Sequence, residues 1–169
     1  KAEAAKVLPL PPGRNDQPLP PVSQLLAMKG DPANGARVFA RPEVGCAKCH
    51  RVHDQGVDFG PALTEIGAKL GKDALYEAIL DPSAGISLGF EAWEVERRND
   101  EPVYGIIASE TAEELVLKDV QAIPLRIQKS DLVTRRQMKT SIMPAGLQMT
   151  MSPQELVDLV EYLATLTKK

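Results

Sequence analysis

The clearest apolar pattern of this chain lies near its C-terminal end, after Ser152. Apolar residues recur there at the three-and-four spacing of one helix face, namely Leu156, Leu159, Val160, Leu163 and Leu166. Ser152 suits the N-cap position, Pro153 the first helical position, and Glu155 completes a capping box. The pattern predicts a helix that buries this stripe against the rest of the protein.

Shorter helical patterns precede residue 82. Asp31 is a suitable N-cap with Pro32 after it, and one face of that helix would carry Gly35, Val38 and Phe39. Two further helices are expected, over Thr64 to Leu70 and over Asp73 to Leu80. The second would be capped by Asp73 and would end before Asp81-Pro82, because the residue before a proline disfavours helix.

The period changes from helical to alternating between Ile86 and Gln128. Trp93, Val95 and Arg97 alternate there with Ala92, Glu94 and Glu96. Further strands are expected over Val103 to Ala108, Glu114 to Lys118 and Ile123 to Ile127. These strands predict a small antiparallel β-meander, in which Pro124 should lie at an edge or at a strand start. The predicted fold is therefore mainly α, with this meander inserted at about 86–128.

The N-terminal stretch has a different composition. Val7 to Val22 is rich in proline, so residues 1–30 are expected to form an extended arm or linker before a domain over residues 31–169. Lys1 to Lys6 lack the apolar core of a signal peptide, and we expect the sequence to begin after a processing site or at a boundary within a longer chain. No apolar run approaches the about 20 residues that cross a bilayer.

Charge excludes one class of partner. The formal net charge is -3 at pH 7, which gives no electrostatic basis for binding nucleic acid. We therefore expect an acidic, solvated surface and no nucleic-acid partner.

The most specific chemistry lies in Cys46-Ala47-Lys48-Cys49-His50. Two thiols three positions apart with a histidine directly after them are what covalent attachment of haem c requires, and the imidazole can then bind the iron. The motif predicts one covalently bound haem c held by Cys46 and Cys49, with His50 as a metal ligand. Because haem c is attached outside the cytoplasm in bacteria, it also predicts an exported or periplasmic protein.

Three other uses of these residues fit their surroundings less well. A redox dithiol would be expected at the start of a helix in a strand-helix-strand unit. A zinc site made of Cys46, Cys49, His50 and His53 would lack the usual long spacer between its ligand pairs. A structural disulfide would close so short a loop that it constrains the unfolded chain only weakly.

A methionine is the expected second ligand. Met143 lies in a loop with Pro144 and Gly146, just before the last helix, and a loop methionine can point at iron. The alternative is that Met143 fills an apolar gap, as methionines commonly do. Met149 and Met151 are the reserve candidates.

Together these residues resemble class I cytochromes c. The order is Gly35 and Phe39, the cysteine motif, Gly60-Pro61-Ala62-Leu63, a methionine loop, and Leu159 with Tyr162. The resemblance implies that the first and last helices cross at Gly35, Phe39, Leu159 and Tyr162. It also implies that the Pro61 carbonyl accepts a hydrogen bond from the ring of His50.

A closer resemblance is to the planctomycete-type haem-binding domains, which often end longer multidomain chains. Its residues are Gly60 to Gly67, Ile79 to Ser83, Gly89 to Glu91, Gly105 and Ser141 to Leu147. The function expected is single-electron transfer with a redox partner protein, such as a dehydrogenase or a terminal oxidase chain, rather than enzymatic conversion of a substrate. The alternative is a five-coordinate haem acting as a gas sensor or weak peroxidase.

Overall fold

The computed structural model describes residues 18–98 and 100–168. Its α-helices are α1 (Val22–Ala27), α2 (Pro32–Ala40), α3 (Ile66–Lys69), α4 (Lys72–Leu80) and α5 (Pro153–Thr165). Its strands are β1 (Arg51–Val52), β2 (Gln55–Gly56), β3 (Ala92–Arg97), β4 (Val103–Glu110), β5 (Glu114–Lys118), β6 (Pro124–Gln128) and β7 (Leu132–Gln137). Two 3₁₀ turns, Cys46–Lys48 and Leu147–Thr150, complete the regular structure.

The prediction of a mainly α fold is wrong. Helices make up 32% and strands 23% of the structure, and a five-stranded antiparallel sheet is its largest single element. The sheet exceeds the predicted meander because β7 was missed. Only Leu132 and Val133 of that strand are apolar, and an edge strand with exposed side chains does not show the alternation by which a half-buried strand is recognised.

The four strands β3 to β6 pair in sequence order as the predicted antiparallel meander, and β7 adds to the sheet beside β3. The strand order is β6-β5-β4-β3-β7, so β6 and β7, which follow each other in the chain, lie on opposite edges. Five strands span about 19 Å, whereas the connection between Gln128 and Leu132 reaches about 14 Å at most. The sheet must therefore curl. Glu110 of β4 pairs with both Lys129 and Arg135, and so links the β6–β7 connection to β7 across the curled sheet.

Curling gives the sheet a core of its own. Four side chains on its inner face are almost fully buried, namely Val95, Leu115, Leu117 and Ile127. As predicted, Pro124 is the first residue of the edge strand β6, where a missing N–H costs no ladder hydrogen bond. The strand Glu114–Lys118 agrees with its predicted bounds.

The helical half is organised by the crossing of α2 and α5. A Cβ atom on Gly35 would lie 1.9 Å from the Asp158 carbonyl oxygen, so only glycine permits the backbones to come this close. The rings of Phe39 and Tyr162 meet beside the crossing, with centroids 5.9 Å apart. The contact predicted between the first and last helices is confirmed for this pair, and α5 has the predicted capping box at Ser152 and Glu155.

Three details of the helices differ from prediction. Helix α4 begins at Lys72 with Gly71 as N-cap, and Asp73 lies in its first turn instead of capping it. The helix expected over Thr64 to Leu70 is shortened to α3. Helix α1 was missed because it directly follows a run of prolines, yet its Leu25 is fully buried in the helical core.

Most of the predicted proline-rich arm, residues 1–17, lies outside the described residues. From Pro18 onward the chain follows the helical core, with Leu19 nearly buried. No helix among the described residues has the length and apolar composition that crossing a bilayer requires.

Candidate functional site

A cavity of about 450 Å³ lies between the helices and the sheet. Apolar side chains supply most of its lining, among them Phe39, Phe59, Leu63, Ile66, Leu75, Ile79, Ile86, Phe90, Ile106, Ile142, Leu159 and Leu163. The volume lies within the range of about 300–1,000 Å³ that is usual for small-molecule and cofactor sites. The same cavity is lined by Cys46, Cys49, His50 and Met143.

One tight turn brings the thiols and the imidazole to the cavity. Gly45 begins it with a left-handed backbone (φ +82°), which glycine adopts without strain. The 3₁₀ turn then closes through hydrogen bonds from the N–H groups of Cys49 (3.2 Å) and His50 (2.9 Å) to the Cys46 carbonyl oxygen. Both thiols and the imidazole therefore come from five consecutive residues of one turn.

The thiols have the wrong electrostatics for a redox dithiol. Burial raises the pKa of Cys46 to about 11 and also raises that of Cys49, where nearby Lys48 opposes the shift. A reactive dithiol needs a lowered pKa, because the thiolate is the nucleophile. Both cysteines are free thiols, so the structure does not contain the alternative disulfide.

The zinc alternative does not fit the geometry. In the part of the chain that the structure describes, no three His, Cys, Asp or Glu side chains come together as a metal site. His53 is exposed, has a positive φ of 51°, and is held by a hydrogen bond from its backbone N–H to the Thr64 hydroxyl (2.8 Å).

His50 is oriented by the loop that follows the motif. Its Nδ1 lies 2.7 Å from the Pro61 carbonyl oxygen, and a carbonyl only accepts, so Nδ1 carries the proton. Burial lowers the pKa of His50, although the bond to Pro61 opposes the shift. The ring is therefore neutral at pH 7 and keeps an unprotonated Nε2, which is the form that binds metals.

Gly60 makes this orientation possible. A Cβ atom there would lie 2.8 Å from Cε1 of the His50 ring. The backbone N–H of Gly60 donates to the Cys49 carbonyl oxygen over 2.7 Å, which ties the loop back to the motif. The loop that contains Gly60 and Pro61 therefore sets the orientation of the His50 ring, and its own position is set by the hydrogen bond to Cys49.

The methionines differ in their surroundings. Met143 lines the cavity together with Ser141, Ile142 and Pro144. Met149 is 51% exposed and Met151 is buried in the helical core, and neither belongs to the cavity lining. Of the three candidate methionines, only Met143 therefore shares a cavity with His50.

The contribution of the sheet was not foreseen. Ala92, Ile106 and Lys118 are cross-strand partners in one row, and Ile106 lines the cavity. At one end of this row the Ala92 carbonyl accepts from the N–H of Met138, at the start of the methionine loop. At the other end Lys118 donates to the Asp58 carbonyl over 3.0 Å, one residue before the buried Phe59. The alternation of apolar and polar residues predicted these strands. It could not show that Ile106 lines the cavity, because that depends on how the sheet packs against the helices.

The residues present fit a haem c. The two thiols, the neutral imidazole and the methionine thioether line one apolar cavity, and those are the groups that attach and ligate such a cofactor. The remaining lining is apolar, which suits a porphyrin face.

Comparison with known families agrees with this chemistry. The family model for cytochrome c matches residues 32–115. The chain contains a cytochrome c domain. Such a domain implies a covalently bound c-type haem and electron-transfer partners. The match runs from the start of α2 into β5, so the Met143 loop and α5 of this cytochrome c domain protein lie beyond it. Comparison with curated proteins gives no match.

Proposed function

We propose that this protein is an exported monohaem c-type cytochrome that transfers single electrons. The observation that carries the proposal is the convergence of Cys46, Cys49, His50 and Met143 on one apolar cavity. The sequence has two cysteines in all, which are enough to attach one haem.

In this proposal each residue has a defined task. Cys46 and Cys49 bind the haem as thioethers, and His50 ligates the iron through Nε2 while its Nδ1–H donates to Pro61. Met143 is the second metal ligand, and its soft sulfur favours the ferrous state. The bound haem supplies an iron that cycles between ferric and ferrous. The apolar side chains around it exclude water, which limits the reorganisation that accompanies a change of charge.

The protein acts as a free carrier or as the electron-accepting module of a larger dehydrogenase. The likeness to planctomycete-type haem-binding domains favours the module, since those domains often end longer chains. In both cases the partner is another redox protein, either a dehydrogenase or a terminal oxidase chain. Cytochrome c domains are typically exported, which supports a periplasmic or otherwise exported location.

The alternative of a gas sensor or weak peroxidase is less well supported. A five-coordinate haem needs an open iron position, and peroxidase chemistry needs a polar group above it. Among the residues that line the cavity, His50 is the one histidine and there is no arginine. The loop that carries Met143 also contributes Ser141, Ile142 and Pro144 to the lining, and none of these side chains is an acid or a base near neutral pH.

A ferric near-infrared spectrum tests the ligand assignment. The wild-type holoprotein is expected to show a sulfur-to-iron charge-transfer band, and Met143→Ala is expected to lose it. Met149→Ala is the matched control, because that side chain is exposed and lies off the cavity. Persistence of the band in Met143→Ala would contradict the assignment and move the ligand to another methionine.

A potentiometric titration tests the electron count. We expect one reversible transition that fits a single electron per protein. A Nernst slope that corresponds to two electrons would contradict a single-electron carrier. So would a reduced protein that cannot be oxidised again.

A further inference from the structure

Two serines that are distant in the sequence meet beside the cavity. The backbone N–H of Ser141 donates to Oγ of Ser83 over 3.1 Å, across 58 positions of sequence. Oγ of Ser141 in turn accepts from the backbone N–H of Met143, also over 3.1 Å. The hydrogen bonds form a series from Ser83 through Ser141 to the residue that lines the cavity.

The loop they hold is anchored at both ends. At its start the N–H of Met138 donates to the Ala92 carbonyl over 2.8 Å, which fixes that end to the sheet. At its end Arg41 donates to the Thr150 carbonyl over 3.1 Å, which fixes that end to the helical half. Among the described residues, Ser83 is the one partner from another element that hydrogen-bonds the stretch between these anchors.

Backbone hydrogen bonds and a buried proline fix the position of Ser83. It follows Pro82, whose side chain is buried against the cavity, and Asp81, the C-cap of α4. The backbone N–H of Asp81 donates to the Glu77 carbonyl oxygen over 2.8 Å. The backbone N–H of Ala84 donates to the Asp81 carbonyl oxygen over 3.0 Å. The Ser83 hydroxyl therefore lies on a hydrogen-bonded turn directly after α4, whereas the loop it contacts has no regular structure around Met143.

We propose that Ser83 and Ser141 are positioning residues that keep Met143 at the iron. This inference rests on the proposed function, in which Met143 is a ligand. A thioether is a weak ligand, so the free energy that keeps it bound depends on how little the loop gains by moving away. The two hydrogen bonds order the loop before ligation and thereby lower the affinity of external ligands that must displace Met143.

The test measures imidazole binding to the ferric holoprotein by optical titration. Ser83→Ala is expected to raise the affinity for imidazole about five-fold, the effect of losing one ordinary hydrogen bond. Ser141→Ala is expected to raise the affinity for imidazole by a similar factor, because it removes the hydroxyl that accepts from the Met143 N–H. The backbone N–H of residue 141 can still donate to Ser83 in this variant. Ser83→Thr keeps the hydroxyl and should bind imidazole as the wild type does.

The double variant shows whether the serines act in series. Because Ser83 acts on Met143 through Ser141, the effect of Ser83→Ala/Ser141→Ala should fall below the product of the two single effects. Ser109→Ala is the control, since Ser109 is exposed on β4 and does not line the cavity. Thermal unfolding of each variant, followed by circular dichroism, checks that the fold is retained.

The outcomes separate this inference from the proposed function. If Ser83→Ala binds imidazole as Ser109→Ala does, the positioning role of Ser83 is wrong even though Met143 remains the ligand. If the charge-transfer band survives in Met143→Ala, the ligand assignment itself fails. If Ser141→Ala raises the affinity for imidazole and Ser83→Ala does not, only the local hydrogen bond between Ser141 and Met143 positions the ligand. That result would overturn the proposed role of the Ser83–Ser141 contact.

Discussion

Asp158 is a nearly buried carboxylate on α5 that holds the start of α2. It accepts hydrogen bonds from the Asp31 N–H (2.9 Å), the Asn34 amide (2.7 Å) and the Gln154 amide (2.8 Å). Burial, the largest single influence, acts to raise its pKa, but the three bonds together outweigh it and hold the pKa below its usual value. This residue therefore links folding to pH.

The sign of that link follows from the lowered pKa. A carboxyl whose pKa is lower in the folded state stabilises the protein above its unfolded pKa of about 3.9, and this contribution is lost as the pH falls. At pH 7 we expect Asp158→Asn to reduce the free energy of unfolding by about 1 to 3 kcal/mol. The difference should shrink as the pH falls from about 5 to 3, measured by urea unfolding.

The exposed Asp131 provides the control for that series. Asp131→Asn should change the free energy of unfolding little, both at pH 7 and at about pH 3. A deficit of Asp158→Asn that stays constant down to pH 3 would show that its effect is packing and not charge.

At the scale of elements, the crossing of α2 and α5 was predictable because a few local signals fix it. The caps at Asp31 and Ser152 set where the helices begin, and the apolar stripes set the faces that they bury. The glycine at position 35 then allows close approach. Each signal lies within a few residues of the feature that it specifies.

Other elements were not predictable in this way. Strand β7 carries mostly polar, exposed side chains, and its place beside β3 depends on pairing with a strand distant in the sequence. The position of Ile106 in the cavity lining likewise depends on how the curled sheet docks on the helices. The turn over residues 46–50 was predictable because its residues are contiguous. The Ser83–Ser141 contact was not, because it joins two loops that periodicity does not describe.

Gly35 gives a direct test of the helix crossing. Gly35→Ala places a methyl group 1.9 Å from the Asp158 carbonyl oxygen, so the helices must move apart. We expect a loss of about 3 kcal/mol in the free energy of unfolding, measured by urea titration.

Gly71→Ala is the matched variant for that test. The nearest atom to its new methyl group is the end of the flexible Asp73 side chain, and its backbone conformation is open to any residue. It should cost far less than Gly35→Ala. Equal losses in the two variants would contradict a close approach specific to Gly35.

The whole molecule contains two cores with different relations to the cavity. Phe39, Leu75, Ile79, Leu159 and Leu163 belong to the helical core and also line the cavity. The buried residues of the sheet core, Val95, Leu115, Leu117 and Ile127, do not line it. A cofactor in the cavity would therefore complete the helical core and leave the sheet core unchanged.

This difference predicts how the protein without haem behaves. In Cys46→Ala/Cys49→Ala, which cannot form thioethers, amide hydrogen exchange should accelerate far more in α2, α4 and α5 than in β4 and β5. The helices lose apolar contact with the porphyrin, whereas the sheet keeps its own core. Equal acceleration in both parts would show that the two cores unfold as one unit.

The proposed function depends on a haem bonded to Cys46 and Cys49. The most direct measurement is the mass of the polypeptide under denaturing, acidic conditions, after expression in cells that attach haem c. We predict a mass that exceeds the polypeptide by one haem, with the haem retained by the cysteine-containing peptide after proteolysis. A mass equal to that of the bare polypeptide, from cells that mature a known c-type cytochrome correctly, would contradict covalent haem attachment.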